Sequence, residues 1–583
     1  MAKSLFTSLG LSLLFLTYLH LVDRFDVLSV FLTSHEKMPI FYKIVGVWGG
    51  YEGSLLLFAF LLSVCPLLSR FLKDTKDQCI FLSTYGFLLT GLLVVIIVSS
   101  NPFAMLEVAP TRGMGLNPLL QDEHMGVHPP SLYFGYTLTS IISVMALMHG
   151  LHTRLRRLFI HITWLMLSVG IVLGSRWAYY ELGWGGFWFW DPVENISLMP
   201  WLLLSLLLHL SPQIQSSQRL WANLYTIISL ALFPVSLWGV VLSRSGLLQS
   251  VHTFGMDARK ALFLGVYVVC VSIFFVIKGR KVCSNPYGHA SSFTVSSKEA
   301  SARVSFIRPL FTSVFLIIFS VVVIGTLGGV FMPHYTIEAT FYNKLLLPVM
   351  LVALGGMAWV ITQKNSLYTS ISFFIGSLGI GAYILVYFIP IDELYYRPLM
   401  SLSLLLTIAS AFYTLLGAKK YLTHAQKIPM LLAHLGVSLA LSGALASSFE
   451  HEEFYAVQPK ERIFFKGHTL TIIKEEVHKK SNHEATVLHI RNTTTGDLMS
   501  PERRYYWTQK KTHYEGVYAG VGLHHVHAFL GDNETHGRYT LMLKYLPFMR
   551  VLWAGLWLCV LAGVLRLILW LGQFIPLKKM KKV

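Results

Sequence analysis

The sequence predicts an all-α polytopic membrane protein with about 14 transmembrane helices and a small β-rich domain near the C-terminus. Three observations carry that prediction. Hydrophobic residues make up 54% of the 583 and charged residues only 13%, too little polar surface to cover a soluble globule of this size. Apolar runs of about 20 residues, enough to cross a hydrocarbon core about 30 Å thick, recur along the chain. One long stretch, 448–546, interrupts them with a polar, strand-like composition.

In order, the runs lie at 5–22, 54–71, 79–99, 131–149, 158–175, 196–211 and 222–242, then at 261–278, 308–330, 344–363, 369–390, 396–416, 428–447 and 549–572. The first lacks a small-residue cleavage site and passes straight into Asp23 and Arg24, so it reads as a retained span. The loop 278–307, rich in Ser, Lys and Gly, reads as a flexible connector. Within 448–546, the stretches starting at Arg462 and Thr469 read as strands between turns. The expected division is a helical core over 1–447 with an aromatic loop at 176–197, a β-rich domain over 448–546, and a last span with a basic tail over 547–583.

A formal charge of +18 suggests nucleic acid at first sight. The cations, however, are spread over short loops, where they set topology by the positive-inside rule. With a cytoplasmic N-terminus, Arg154, Arg156, Arg157, Lys278, Arg280, Lys281, Lys419, Lys420 and the tail Lys578 to Lys582 all face inward. The segments 100–130, 176–195, 243–260 and 448–546 then lie outside, where function is expected. Cys65, Cys79, Cys270, Cys283 and Cys559 form no Cys-x-x-Cys pair, which excludes thiol exchange and a covalently attached haem as this chain's own chemistry.

The run from Trp184 through Phe187, Trp188, Phe189 and Trp190 to Asp191 sets aromatic rings around two glycines just before a span. It reads either as an interfacial belt or as a platform for a flat aromatic ligand, with close backbone approach at glycine and a rigid polar rim where Asp191 and Pro192 open a helix. A haem on that platform needs axial nitrogen ligands. His128, stiffened by Pro129 and Pro130, lies in the preceding outer loop and His252 in the following one. Either alone is an ordinary loop histidine; paired about the platform they become candidate ligands.

A second pair, His209 and His434, falls inside spans, where an ionisable side chain marks function by default. With a rise of 1.5 Å per residue, each sits within about 10 Å of the cytoplasmic edge. The shared depth suits two axial ligands of one buried b-type haem, or two core histidines bonded to neighbouring helices. His149 and His161 lie nearer span ends. His524, His525 and His527 resemble a metal cluster, but a strand would point neighbours to opposite faces. Arg176 and Arg244 flank the platform as candidate partners of haem propionates, or of Asp191 and Glu194.

The residues resemble the CcmF family of cytochrome c-type biogenesis proteins over nearly the whole chain. Matching stretches are Trp48 to Leu57, Ser100 to Phe103, Leu116 to Asp122, His128 to Tyr133 and Leu173 to Gly183 followed by the aromatic loop, then Arg244 to Gly246, Ser250 to Phe254 and Ala433 to Gly436. The resemblance implies a haem lyase subunit of cytochrome c maturation in the bacterial inner membrane, with the aromatic loop and C-terminal domain in the periplasm. It implies that substrate haem arrives from a chaperone of the CcmE type on the platform of Trp184, Trp188, Trp190 and Asp191, ligated by His128 and His252. Two thiols of the apocytochrome c motif Cys-x-x-Cys-His then add to its vinyl groups, while His209 and His434 hold a bound haem b that reduces it. Partner subunits of the CcmH and CcmI type and a quinol reductant are implied too, besides membrane lipid; nucleic acid is not. Two departures stand out: Tyr51 where the family usually has His, and Phe187 in place of a loop tryptophan, which removes an indole N–H.

Other classes fit parts of the pattern. A haem transporter or passive haem-binding scaffold would share the platform and its two histidines but needs neither the buried pair nor the large outer domain. An ion-coupled transporter should carry charged residues inside several spans, whereas the carboxylates here are nearly confined to loops.

Overall fold

The computed structural model describes residues 2–148, 153–182, 186–210, 219–248, 250, 252, 256–284, 304–331, 337–362, 428–447, 450–534 and 537–572. Its helices are α1 (Ala2–Leu21), α2 (Leu28–Thr33), α3 (Ile40–Gly49), α4 (Tyr51–Val64), α5 (Thr75–Ser99), α6 (Glu123–Met145), α7 (Thr153–Glu181), α8 (Pro192–Leu210), α9 (Arg219–Ser245), α10 (Ala258–Ser284), α11 (Val304–Phe331), α12 (Ala339–Thr362), α13 (Ile428–Ser447) and α14 (Met549–Gly572). Among the described residues, 10 helices are long and apolar enough to cross a membrane: α1, α4 with its 3-10 extension to Phe71, α5, α7 to α11, α13 and α14. The runs read at 131–149 and 344–363 are helical in α6 and α12. α6 falls short of span hydropathy because its buried face carries Thr137, Thr139, Ser140 and Ser143. The runs at 369–390 and 396–416, together with His149, Lys419, Lys420 and the tail lysines, lie outside the described residues.

Two local features depart from the sequence reading, and both shape the site. The apolar helix α3 follows Pro39, which cannot donate an amide proton and is tolerated at a helix start. α6 begins at Glu123, so His128 sits in the second turn of a helix and not in a loop. Asp122 caps that helix by accepting the His124 amide at 2.7 Å. A cap of this kind is worth about 1 kcal/mol, and Pro129 and Pro130 are accommodated inside the helix, as transmembrane helices allow when neighbours satisfy the freed carbonyls.

The β-rich domain holds β1 (His451–Val457), β2 (Arg462–Phe465), β3 (His468–Lys479), β4 (His483–Asn492), β5 (Leu498–Met499), β6 (Glu502–Tyr506), β7 (Lys511–Glu515), β8 (Val517–Val521), β9 (His524–Glu534) and β10 (Arg538–Leu546). One antiparallel sheet runs β1-β10-β9-β8 and the other β2-β3-β4-β6-β7, with β5 beside β4. The β2–β3 hairpin turns through Lys466 and Gly467, both with positive φ (47° and 79°), the backbone that two-residue hairpins demand. Alternate residues of the facing strands, among them Leu470, Ile472, Leu488, Ile490, Val526, Leu530, Leu541 and Leu543, form the domain's core.

The domain docks on one end of the helical bundle. Tyr179, near the end of α7, hydrogen-bonds His525 Nδ1 at 2.8 Å, and Glu181 meets His513 Nε2 at 2.6 Å. Asn482 Nδ2 donates to Gln121 Oε1 at 2.6 Å, and Gln509 Nε2 to the Met114 carbonyl at 3.0 Å. The segment before α6, the end of α7 and the β-domain, all predicted to share one side of the membrane, therefore meet at one end of the molecule.

Candidate functional site

At that end an open cleft of ≈ 950 Å³, solvent mouth included, lies among α3, α6, α7, α8 and α9. Both His128 and His252 line it, with Trp48, Tyr133, Tyr136, Trp177 and Arg244.

Each histidine is held from behind. His128 Nδ1 donates to the Gly170 carbonyl on α7 at 2.7 Å, which fixes the tautomer and leaves the Nε2 lone pair available. The ring lies against Gly174, where an added Cβ would stand 2.5 Å from His128 Cε1. His252 Nδ1 lies 3.1 Å from Asp191 Oδ1, and its ring centre is 5.1 Å from that of Trp177. Burial pushes the Asp191 carboxyl up, but contacts from His252, Ser250 and the Val193 amide outweigh it and hold it below the usual carboxylate value.

Among the described residues, none of the aromatic run from Phe187 to Asp191 lines the cleft; the run touches it through Asp191 behind His252. Trp190, with φ +58°, stacks on Tyr342 of α12 at 5.0 Å and 11° and donates its indole N–H to Asn343 Oδ1 at 2.8 Å. Trp188 stands edge-on to Trp190 at 6.0 Å, and its buried indole nitrogen has no hydrogen-bond partner among the described residues. Phe187 packs against the cluster of Tyr179, Leu546, Met549, Leu552 and Trp553. Trp184 lies outside the described residues. Among the described residues the aromatic walls of the cleft are thus Trp48, Tyr133, Tyr136 and Trp177, and Trp190 gives one face to the protein.

The two candidate propionate cations separate. Arg244 lines the cleft, donates to the Tyr133 hydroxyl at 3.1 Å and sits 5.8 Å over the Tyr51 ring. Arg176 turns to His124 Nε2 and the Tyr180 hydroxyl, each at 3.1 Å. Tyr51 is buried, and its hydroxyl has no hydrogen-bond partner among the described residues.

Across the bundle the second pair meets: the ring centres of His209 on α8 and His434 on α13 are 6.1 Å apart, at 63°. His209 Nδ1 donates to the Ser205 carbonyl one turn back at 2.7 Å. His434 Nδ1 faces Met430 one turn back without completing a hydrogen bond. Phe311 and Phe315 of α11 pack on the His209 ring at 5.8 and 5.2 Å. His161 spends its Nδ1 on the Arg157 carbonyl at 2.6 Å. On β9, His525 and His527 share a face and His524 takes the other, accepting the Phe548 amide.

Sequence reasoning missed the walls Trp48 and Trp177 and the seat Gly170/Gly174. A signal existed in the glycines four apart on α7, the spacing that puts small residues on one face for close packing.

Residues 48–248, the stretch that supplies every described residue of the cleft but Val45 and His252, match the family described as cytochrome c assembly protein. The chain is 32% identical to cytochrome c-type biogenesis protein NrfE of Haemophilus influenzae, over 95% of this chain and 89% of the relative. It is 30% identical to cytochrome c-type biogenesis protein CcmF of Escherichia coli, over 96% and 90%. A solved structure, cytochrome c heme lyase CcmF, shares the fold at a TM-score of 0.72 and 19% identity, over 97% of this chain and 90% of that one. Similarity sustained over both whole lengths makes this chain a member of the CcmF/NrfE family of cytochrome c-type biogenesis proteins.

Proposed function

We propose that this chain is a haem lyase component of cytochrome c maturation that presents haem, as substrate, in the cleft between His128 and His252. The observation that carries the reading is the convergence of those two histidines, separated by 124 positions, on one open, aromatic-walled cleft with Arg244 at its wall. Each backs its Nδ1 onto a fixed oxygen, Gly170 O or Asp191 Oδ1, the outer-shell arrangement that orients metal-ligating histidines. Trp177 and Trp48 supply ring faces for a flat ligand, and the Arg244 guanidinium suits a propionate. An apocytochrome's two thiols then add across the haem vinyl groups, each S–H giving its sulfur to one vinyl carbon and a proton to the other. The cleft's part is to hold the ring in one orientation so that each thiol meets the correct vinyl. Haem delivery by a chaperone of the CcmE type, partners of the CcmH and CcmI type, and a periplasmic setting belong to this reading through family membership.

His209 and His434 fit a resident haem b. Metal–imidazole nitrogen bonds of about 2 Å set two axial rings about 6 Å apart, the separation found. His209 presents its Nε2, and the Phe311 and Phe315 rings suit an apolar macrocycle. His209 and His434 would hold such a haem, which would supply electron transfer when bound; a quinol is the reductant this reading calls for.

Absorption spectra of the purified chain before and after dithionite test both sites. His209→Ala and His434→Ala should each remove the bis-imidazole spectrum; its persistence in both variants sinks the haem b assignment. His128→Gly and His252→Gly should stop cytochrome c assembly and recover in part with exogenous imidazole; unimpaired assembly in both removes the cleft from the reaction. A passive scaffold or transporter would bind haem at the cleft yet leave thioether formation unaffected by its loss.

A further inference from the structure

We infer that Asp191, the residue that ends the tryptophan-rich loop, is the positioning residue of His252: it fixes the ring's tautomer and direction so that Nε2 faces the cleft. The inference rests on reading His252 as an axial ligand of the cleft haem, and it gives the loop a role other than offering indole faces.

Asp191 is itself immobilised by the start of α8. Its Oδ1 accepts the Val193 amide at 2.9 Å while its own amide donates to Glu194 Oε2 at 3.0 Å. This is the reciprocal arrangement of a capping box, with Pro192 at the first helical position, where a missing amide proton costs nothing. Glu194 Oε2 also receives the Phe189 amide at 3.0 Å, and Asn195 Nδ2 donates to the Trp190 carbonyl at 3.0 Å. The end of the loop is thereby folded onto the helix.

The same carboxylate oxygen reaches the second segment. Ser250 Oγ donates to Asp191 Oδ1 at 2.5 Å and accepts the His252 amide at 3.0 Å, so the His252 backbone is tied to Asp191 through one hydroxyl. The imidazole follows directly, with Nδ1 at 3.1 Å from Oδ1 and both side chains largely shielded from solvent. Trp177 packs against the same imidazole, ring centres 5.1 Å apart at 60°. The Nδ1–Oδ1 contact is at ion-pair distance but out of line for a full hydrogen bond; because a carboxylate can only accept, the tautomer it favours carries the proton on Nδ1 and keeps the Nε2 lone pair. His128 is held in the same sense by a neutral carbonyl. The two ligands therefore differ: the one backed by an ionised carboxylate is the stronger donor.

The test titrates haemin into the full-length protein in detergent, in a His209→Ala and His434→Ala background so that the low-spin spectrum reports the cleft alone, and reads affinity, that spectrum and the midpoint potential. His252→Gly should lose the low-spin spectrum and regain it with imidazole. Asp191→Ala should weaken haemin binding by about 10- to 100-fold and also recover with imidazole, since free imidazole needs no aiming. Asp191→Ser keeps a helix cap but is too short to reach the ring, so it should match Asp191→Ala in affinity while melting like the parent. Asp191→Asn keeps an acceptor without the charge; it should hold affinity within a few-fold and raise the midpoint potential. If His252→Gly loses the spectrum while Asp191→Ala and Asp191→Ser keep it with parental affinity, the positioning role is wrong and the ligand assignment stands. If His252→Gly itself leaves the spectrum unchanged, the ligand assignment fails and the role of Asp191 fails with it.

Discussion

Gly174 has no side chain, and the space where one would begin is occupied by the His128 ring. A methyl group there needs the ring to move, because the Cβ would stand 2.5 Å from His128 Cε1 and 2.8 Å from its Nδ1. Moving it breaks the 2.7 Å bond to Gly170. Gly174→Ala should therefore leave the helix formed but weaken haemin binding at the cleft, by about tenfold or more. Gly86→Ala, where nothing lies within 4 Å, is the control and should raise stability by about 0.5–1 kcal/mol; haemin titration and thermal melting of both variants check this. The Trp190 contacts allow a similar separation. Trp190→Phe keeps a ring on Tyr342 but loses the bond to Asn343, so it should cost about 1 kcal/mol, read as a drop in melting temperature with haemin affinity little changed.

At the scale of elements, α13 owes its position to α14. The two helices meet through small residues: a Cβ on Gly555 would lie 2.4 Å from the Ala440 nitrogen and 2.5 Å from the Gly436 carbonyl, and one on Gly443 would lie 2.6 Å from the Leu552 nitrogen. In a membrane, where apolar burial does not distinguish lipid from protein, such backbone-to-backbone approach is what associates helices. His434 is two residues from Gly436 on this helix, so the contact also sets its distance from His209. Gly555→Leu should part the helices, lower the melting temperature by an overpacking cost of about 1–3 kcal/mol, and weaken the bis-imidazole spectrum even though no histidine has been touched. An unchanged spectrum would show that α14 does not hold the pair in register. The boundaries of α7, α8 and α14 were close to legible from hydropathy. The start of α6 was not, because the Asp122 cap and two prolines argue in opposite directions and only the packed neighbours decide between them.

For the whole molecule, the docking of the β-domain joins the segment before α6, the end of α7 and the facing strands into one body. His525 and His527 on β9 enter the junction beside Tyr179 and Tyr518, and burial lowers them to about 4 and about 3. The charged groups facing them, Arg550 and Arg176 for His525 and Lys544 for His527, act in the same direction. The ordinary value is 6.5, so between there and about 4 the undocked histidines bind protons that the docked ones do not. Docking is therefore strongest above pH 6.5 and weakens as pH falls toward 4, by at most about 3 kcal/mol from His525. Hydrogen exchange of β8 and β9 should quicken over that interval, and His527→Phe should flatten the dependence; exchange independent of pH would mean the junction does not open there.

The sequence alone determined the class of molecule, because length and apolarity of a run are enough to decide whether it suits lipid. It also determined the polar, stranded insertion and singled out the four histidines as candidates, two because an ionisable group in a span is costly enough to stand out and two because they flank the aromatic loop. The pairing of those histidines was legible only as topology and depth. What the tertiary structure decided was direction: His128 and His252 share one cleft, His209 and His434 face each other at 6.1 Å, and the tryptophan-rich loop enters the cleft's geometry through Asp191 while Trp190 packs on Tyr342. Hydropathy averages over about 20 residues, whereas the aim of an imidazole depends on one carbonyl or one carboxylate brought from far along the chain.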